Sequence, residues 1–254
     1  MAHKVSKIPF SRVLQYVSCP LKAGFDSIAD SYITATDLYV SSVKEGIYTY
    51  FTEMAMKQQG VVITKKAVEA FIDNWQANSA RIPADHASSL MFYQGHYLMT
   101  RVSSFFNPAV DKLVACKFPI SLSITSDIIL EDVIDVLLIR TEGKKLTYRA
   151  IFLEGPNEFD NQRYQKLRSA FFKLALQRHV SAKRKLNFLY ESRPVLGQDK
   201  VLYPEPHSLN VIRKVVTGVA KAIQSEAVYP TTSKDICKAC AYNRICEASL
   251  VRNL

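Results

Sequence analysis

The chain carries 5 cysteines, and three of them, Cys237, Cys240 and Cys246, stand as C-x2-C-x5-C in the stretch VYPTTSKDICKACAYNRICEAS. Three soft thiolates this close in sequence face one another or a metal. A closed site needs a fourth ligand, and Cys19 in YVSCPLKAGF is the candidate, because it falls at a helix end beside Pro20. Cys116 sits mid-strand in an apolar run, where a thiol is more often a buried structural group. Three chemistries are open to this set: an iron-sulfur cluster, a zinc ion on the same four ligands, and a redox-active C-x2-C pair acting alone. A redox pair normally follows a strand and opens a helix, whereas Cys237 follows a Pro/Thr/Ser turn.

The elements that must carry these residues are those of a globular protein. At 254 residues the chain buries a substantial core, and its 48% hydrophobic content with few Gly and Pro excludes disordered and fibrous classes. An odd, uneven cysteine count suits a reducing compartment better than a disulfide framework. No apolar run reaches a bilayer-spanning length and the opening MAHKVSKIPFSRVL lacks a signal-peptide core, so a cytoplasmic or otherwise intracellular protein without a membrane partner is expected. The formal net charge of +10 makes a polyanion a reasonable partner.

Within 11–26, Val13, Leu14 and Val17 recur at helical spacing before Pro20 interrupts, and apolar residues recur likewise over 35–59, 65–78 and 87–106, so the first hundred residues read as helical. From Lys112 the texture changes to strands: KLVACKFPISLSI, DIILEDVIDVLLIR, a turn at Glu142 and Gly143, then KLTYRAIFLEG. A helix over 160–180, a strand KLNFLYES and a helix over 208–227 precede the cysteine tail. The expectation is one α/β domain over 1–254, with a helical region at about 30–110 and a cysteine segment at 228–254 joined by Cys19. A metal bound that way closes almost the whole chain, so binding couples to folding.

With these residues in place, the chain resembles the iron-sulfur branch of the PD-(D/E)XK nucleases, the RecB-like, AddB-like and Cas4-like proteins. The family's S-x-L-x-x-Y-x-x-C-P is similar to Ser11 through Pro20, with Tyr16, Cys19 and Pro20 in the expected relation. Its C-terminal cysteine triplet resembles Cys237 to Cys246, with Tyr242 and Ile245 as its aromatic and apolar companions. The resemblance implies a restriction-endonuclease-like core with a central mixed sheet, and a 4Fe-4S cluster on Cys19, Cys237, Cys240 and Cys246, with zinc as the alternative metal.

Phosphodiester cleavage in that family needs carboxylates to hold Mg2+ or Mn2+ and a lysine to orient water. The G-x-x-x-H element resembles Gly46 to Tyr50, with Tyr50 at the His position. The G-x-x-D element resembles Asp132 to Asp135, which keeps Asp135. The D-x-K element falls on Phe152, Leu153 and Glu154, so Phe replaces the acid and Glu the lysine. The Q-x-x-x-Y helix resembles NQRYQKLRSAFF, where Gln162 or Gln165 serves as the Gln and Lys166 or Ser169 replaces the Tyr. Asp135, Glu154 and Gln165 are therefore the candidate catalytic residues of a degenerate site, with Lys166 or Lys173 as a relocated lysine if chemistry survives.

Basic residues gather at Lys166, Arg168 and Lys173 and again at Lys183, Arg184 and Lys185, where they could neutralise phosphates or form a solvated helix face. No G-x-x-x-x-G-K-[ST] phosphate loop is present, so the chain is not itself a helicase motor. The resemblance implies a catalytically impaired subunit that binds DNA ends or single strands within a helicase or recombination assembly. The alternatives are an active Mg2+- or Mn2+-dependent DNA exonuclease with a rearranged site, and an interaction scaffold that binds no DNA.

Overall fold

The computed structural model describes residues 6–19, 34–56, 61–82, 85–155, 162–180, 187–195 and 209–225. The chain forms two compact units, one of Met1–Tyr32, Ser121–Asp132 and Ser208–Leu254, the other of Ile33–Ile120 and Val133–His207.

In the first unit, strand β1 (Ser6–Pro9) runs parallel to the start of β3 (Ile128–Glu142), with Ser6 opposite Ile128 and Pro9 opposite Glu131. Pro9 ends β1, where its missing N–H costs the ladder little. Helix α1 (Phe10–Ser18) follows at once and buries Phe10, Val13, Leu14 and Tyr16. That is the i, i+3, i+4 stripe of an amphipathic helix. Its partner is α6 (Leu209–Gln224), and the Tyr16 hydroxyl donates to the Ala222 carbonyl at 3.5 Å.

The second unit is a mixed α/β layer structure. Helix α2 (Ala35–Ala55) starts on a reciprocal capping box between Thr34 and Asp37, which satisfies two otherwise unpaired N–H groups. Helices α3 (Val61–Ser79) and α4 (His86–Thr100) pack against it, and a short 3-10 turn (Val102–Phe105) leads to β2 (Asp111–Ser123). Strand β2 pairs with β3. Strand β3 pairs antiparallel with β4 (Lys145–Glu154) through a two-residue turn whose Gly143 adopts φ 59°, a conformation glycine takes without strain. Helix α5 (Gln162–His179) then returns the chain so that β5 (Asn187–Pro194) lies parallel to β4.

Consecutive residues of β4 from Arg149 to Glu154 are all buried, as expected of a strand covered on both faces. Val136, Leu138, Ile151 and Leu153 join the core formed with α2, α3 and α4. Phe152 faces α5, its ring 4.1 Å from Phe172 and 4.6 Å from Tyr190. Gly46 and Gly95 permit the close helix approach: a Cβ on Gly46 would lie 2.4 Å from the Met99 sulfur and 2.8 Å from the Ala67 carbonyl oxygen.

The sheet also carries a buried ionic network. Arg149 donates to Glu191 and to Asp111, each at 2.5 Å, Arg140 donates to both Asp111 oxygens, and Arg193 caps Glu191 at 3.1 Å. Burial raises the Asp111 pKa, but hydrogen bonds from Arg140 and Arg149 outweigh it and hold the carboxyl below its ordinary value. Among the described residues, no helix is long and apolar enough to cross a membrane.

The elements follow the order expected from the sequence, with one addition. Strand β1 is four residues long and its partner lies far along the chain, so no local periodicity announces it.

Two outcomes follow from this packing. Gly46→Ala is expected to cost about 1–3 kcal/mol in urea unfolding, since the Ala67 backbone cannot yield as a side chain can. Because the folded Asp111 pKa lies below the unfolded one, its stabilisation is present above roughly pH 4 and lost as pH falls through the folded value. Unfolding free energy measured against pH should therefore decline on the acid side, with a flatter slope in Asp111→Asn.

Candidate functional site

The carboxylates expected from the sequence are both buried, and each meets a cation supplied by the chain itself. Glu154, at the end of β4, has no solvent exposure. Its carboxylate accepts from Gln165 Nε2 at 2.6 Å, Arg168 Nη1 at 2.9 Å and the Tyr190 hydroxyl at 3.2 Å. Tyr190 also donates to Gln165 Oε1 at 2.9 Å. Gln165 and Arg168 lie three positions apart, so one face of α5 presents both to the end of β4. The Arg168 guanidinium also lies 4.7 Å from the Phe152 ring centroid, a contact that orients it further.

Phe152 thus stands where the D-x-K pattern wants its acid, wedged between Phe172 and Tyr190. A buried carboxylate without a cation would be strongly destabilising. Arg168 offsets the charge at Glu154 from within the fold.

Asp135 lies in β3 just beyond the last register pair, Val136 with Ile151. Its side chain accepts from the Leu153 backbone N–H at 2.8 Å, from the Tyr48 hydroxyl, and from Lys44, whose Nζ lies 3.0 Å from Oδ1 and 3.2 Å from Oδ2. Lys44 and Tyr48 are four apart on α2 and share a face. Burial and the adjacent Asp135 push the Tyr48 phenol far above its ordinary pKa, so it remains a hydrogen-bond donor at neutral pH.

Lys117 reaches the other side of Tyr48, with its ammonium 4.7 Å from the ring centroid and 2.7 Å from Glu45. It does so from a backbone with φ 52°, a conformation that costs a non-glycine residue energy.

Other expected positions fall as follows. Tyr50, at the family's His position, is buried edge-on against Phe51. Lys166 is exposed and Lys173 half-buried, while the Arg168 side chain is 11% exposed and engaged with Glu154. Cys116 is half-buried, its thiol donates to the Tyr48 carbonyl, and burial pushes its pKa up to about 11. Cys19 is buried at the C-terminal end of α1. Cys237, Cys240 and Cys246, with Lys183, Arg184 and Lys185, lie outside the described residues.

Sequence reasoning brought Glu154 and Gln165 into one site and missed Lys44, Tyr48 and Tyr190. Lys44 stands one turn before Tyr48 on a helix that also carries Asp37, Glu45 and Glu53, so its charge did not single it out. Nothing local pointed to Asp135 as its partner.

Divalent-ion chemistry does not fit this arrangement. Hard cations need several free oxygens, and the oxygens of Asp135 and Glu154 are already engaged with Lys44 and Arg168. Among the described residues, no three His, Cys, Asp or Glu side chains gather to hold a metal ion.

No protein-family model matches the chain, and no curated protein matches it. Among solved structures, the protein SSO0001 aligns over 94% of this chain and 96% of its own length, at 14% identity and a TM-score of 0.36. A candidate exonuclease from Eubacterium rectale aligns over 84% of this chain and 87% of its own, at 10% identity and a TM-score of 0.38.

Removing one partner of the buried pair should be costly. Arg168→Met or Glu154→Gln alone is expected to lower unfolding free energy by about 3–5 kcal/mol, and the double variant by clearly less than the sum of the two. A double-mutant cycle in denaturant measures this directly, and additive losses would mean that the pair contributes nothing.

Proposed function

We propose that this chain is a DNA-binding, catalytically silent relative of the iron-sulfur PD-(D/E)XK nucleases. In this reading it binds DNA ends or single strands as a subunit of a helicase-containing, recombination or defence assembly. The observation that carries the reading is an internal cation on each buried carboxylate, Lys44 on Asp135 at the one retained acidic position and Arg168 on Glu154 at the position of the lysine. In a cutting enzyme the oxygens at the Asp135 position serve Mg2+ or Mn2+, and a lysine stands where Glu154 is. Here both carboxylates hold the fold together instead, with Phe152 closing the remaining acidic position.

Binding without cutting also fits the charge. A net +10 favours a polyanion, and Lys166 is exposed on the helix that carries Gln165 and Arg168. The cysteine set Cys19, Cys237, Cys240 and Cys246 would hold a structural 4Fe-4S cluster, with zinc as the other metal those ligands accept.

The test uses protein purified without oxygen. It should show the broad visible absorption of iron bound to thiolate and sulfide, retain labelled single-stranded DNA, and leave that DNA intact with Mg2+ or Mn2+. Affinity should fall with added salt, with a log-log slope of about −0.7 for each phosphate contacted. Cleavage abolished by Asp135→Ala would make the chain an exonuclease with a rearranged site. A colourless zinc protein that ignores DNA would overturn both the cluster and the DNA-binding role.

A further inference from the structure

Helix α4 presents two different faces. Gly95 and Met99 pack inward, with Gly95 against the rings of Phe71 and Tyr39 and Met99 fully buried. On the other side Leu90 is 49%, Tyr93 70% and Tyr97 62% exposed. These positions recur at three and four, so they form one stripe along the helix. At 1.5 Å per residue the two tyrosines are separated by about 6 Å along the axis.

Large side chains exposed in one line mark a candidate surface for an occupant. The chemistry of the stripe indicates which. Arg101 extends it at the helix end, with its guanidinium 5.7 Å from the Tyr97 ring centroid and Nη1 3.4 Å from the phenol oxygen. From His86 to Arg101 the sequence HASSLMFYQGHYLMTR contains no Asp or Glu, so nothing on the helix repels a phosphate. The remaining exposed positions include Ser89, Gln94 and His96, all hydrogen-bonding side chains. A groove-binding protein helix would ask for a run of aliphatic anchors, and Leu90 is the single aliphatic member of this stripe. Aromatic faces interleaved with a cation and polar side chains match a single strand, whose bases stack and whose phosphates seek positive charge.

We propose that the Leu90, Tyr93, Tyr97 and Arg101 stripe of α4 is a stacking surface for the bases of single-stranded DNA. Tyr93 and Tyr97 each take the face of a base, and Arg101 supports the second ring while meeting the adjoining phosphate. The inference rests on the DNA-binding reading above, but it assigns the strand to a different helix from the one that carries Lys166 and Arg168.

Fluorescence anisotropy with a labelled oligothymidine and the intact chain tests it, using Tyr93→Ala, Tyr97→Ala and the paired Tyr93→Phe/Tyr97→Phe variant. Circular dichroism establishes that each variant is folded. Each alanine substitution is expected to weaken binding by roughly 5- to 100-fold, while the Phe pair binds nearly as the parent does. The salt slope should stay constant in the alanine variants and become shallower in Arg101→Ala. If the parent binds and the folded alanine variants bind equally well, the stacking surface is wrong and the DNA-binding reading stands. If the parent retains no single strand, both fail. If the alanine substitutions instead abolish self-association seen in sedimentation, the stripe is a protein interface and the proposal is overturned.

Discussion

A carboxylate buried at the end of an interior strand must be met by a cation, and much of the second unit answers that demand at Glu154. The strand is covered on both faces, so water cannot offset the charge. Helix α5 supplies Arg168 and Gln165, and β5 supplies the Tyr190 hydroxyl. These three donors tie the helix to the strands on either side of it in sequence. The aromatic stack of Phe152 with Phe172 and Tyr190 packs beneath the same guanidinium, so apolar burial and charge compensation depend on one arrangement.

Strand β4 repeats the arrangement further along its length. Arg149 is buried between Asp111 and Glu191, and the parallel register that places Ile151 opposite Glu191 and Leu153 opposite Arg193 fixes which β5 residues reach it. Asp135 follows the same rule from the neighbouring strand, with Lys44 as its cation. Interior ion pairs of this kind seldom add net stability over an apolar replacement, yet losing one partner is severe. A one-residue slip of register would put each of these charges on the wrong face.

Most helices and strands of this chain are readable from local pattern. The helical spacing of 35–59, the glycine turn at Gly143 and the β-rich runs of β3 and β4 act over a few residues. Strand β1 was not readable, because four residues ending in Pro carry little pattern and gain their role only by pairing with Ile128–Glu131. The site divides the same way. Asp135, Glu154 and Gln165 stand out by resemblance, whereas Lys44, Tyr48 and Tyr190 become partners only across separations of 91, 87 and 36 residues.

The sequence by itself determined the order of the elements other than β1, the basic excess, the cysteine spacing and the residue types that end β4, Phe152 and Glu154 among them. Each is a property of residue type or short-range periodicity. Only the tertiary structure decided that Arg168, one of several basic residues on its helix, turns inward to Glu154, and that Lys44 rather than a lysine of α5 meets Asp135. The reason is that a cation's partner is chosen by burial: where the packed layers remove water, the nearest opposite charge and hydrogen-bond donors must compensate, and no local pattern encodes which ones those will be.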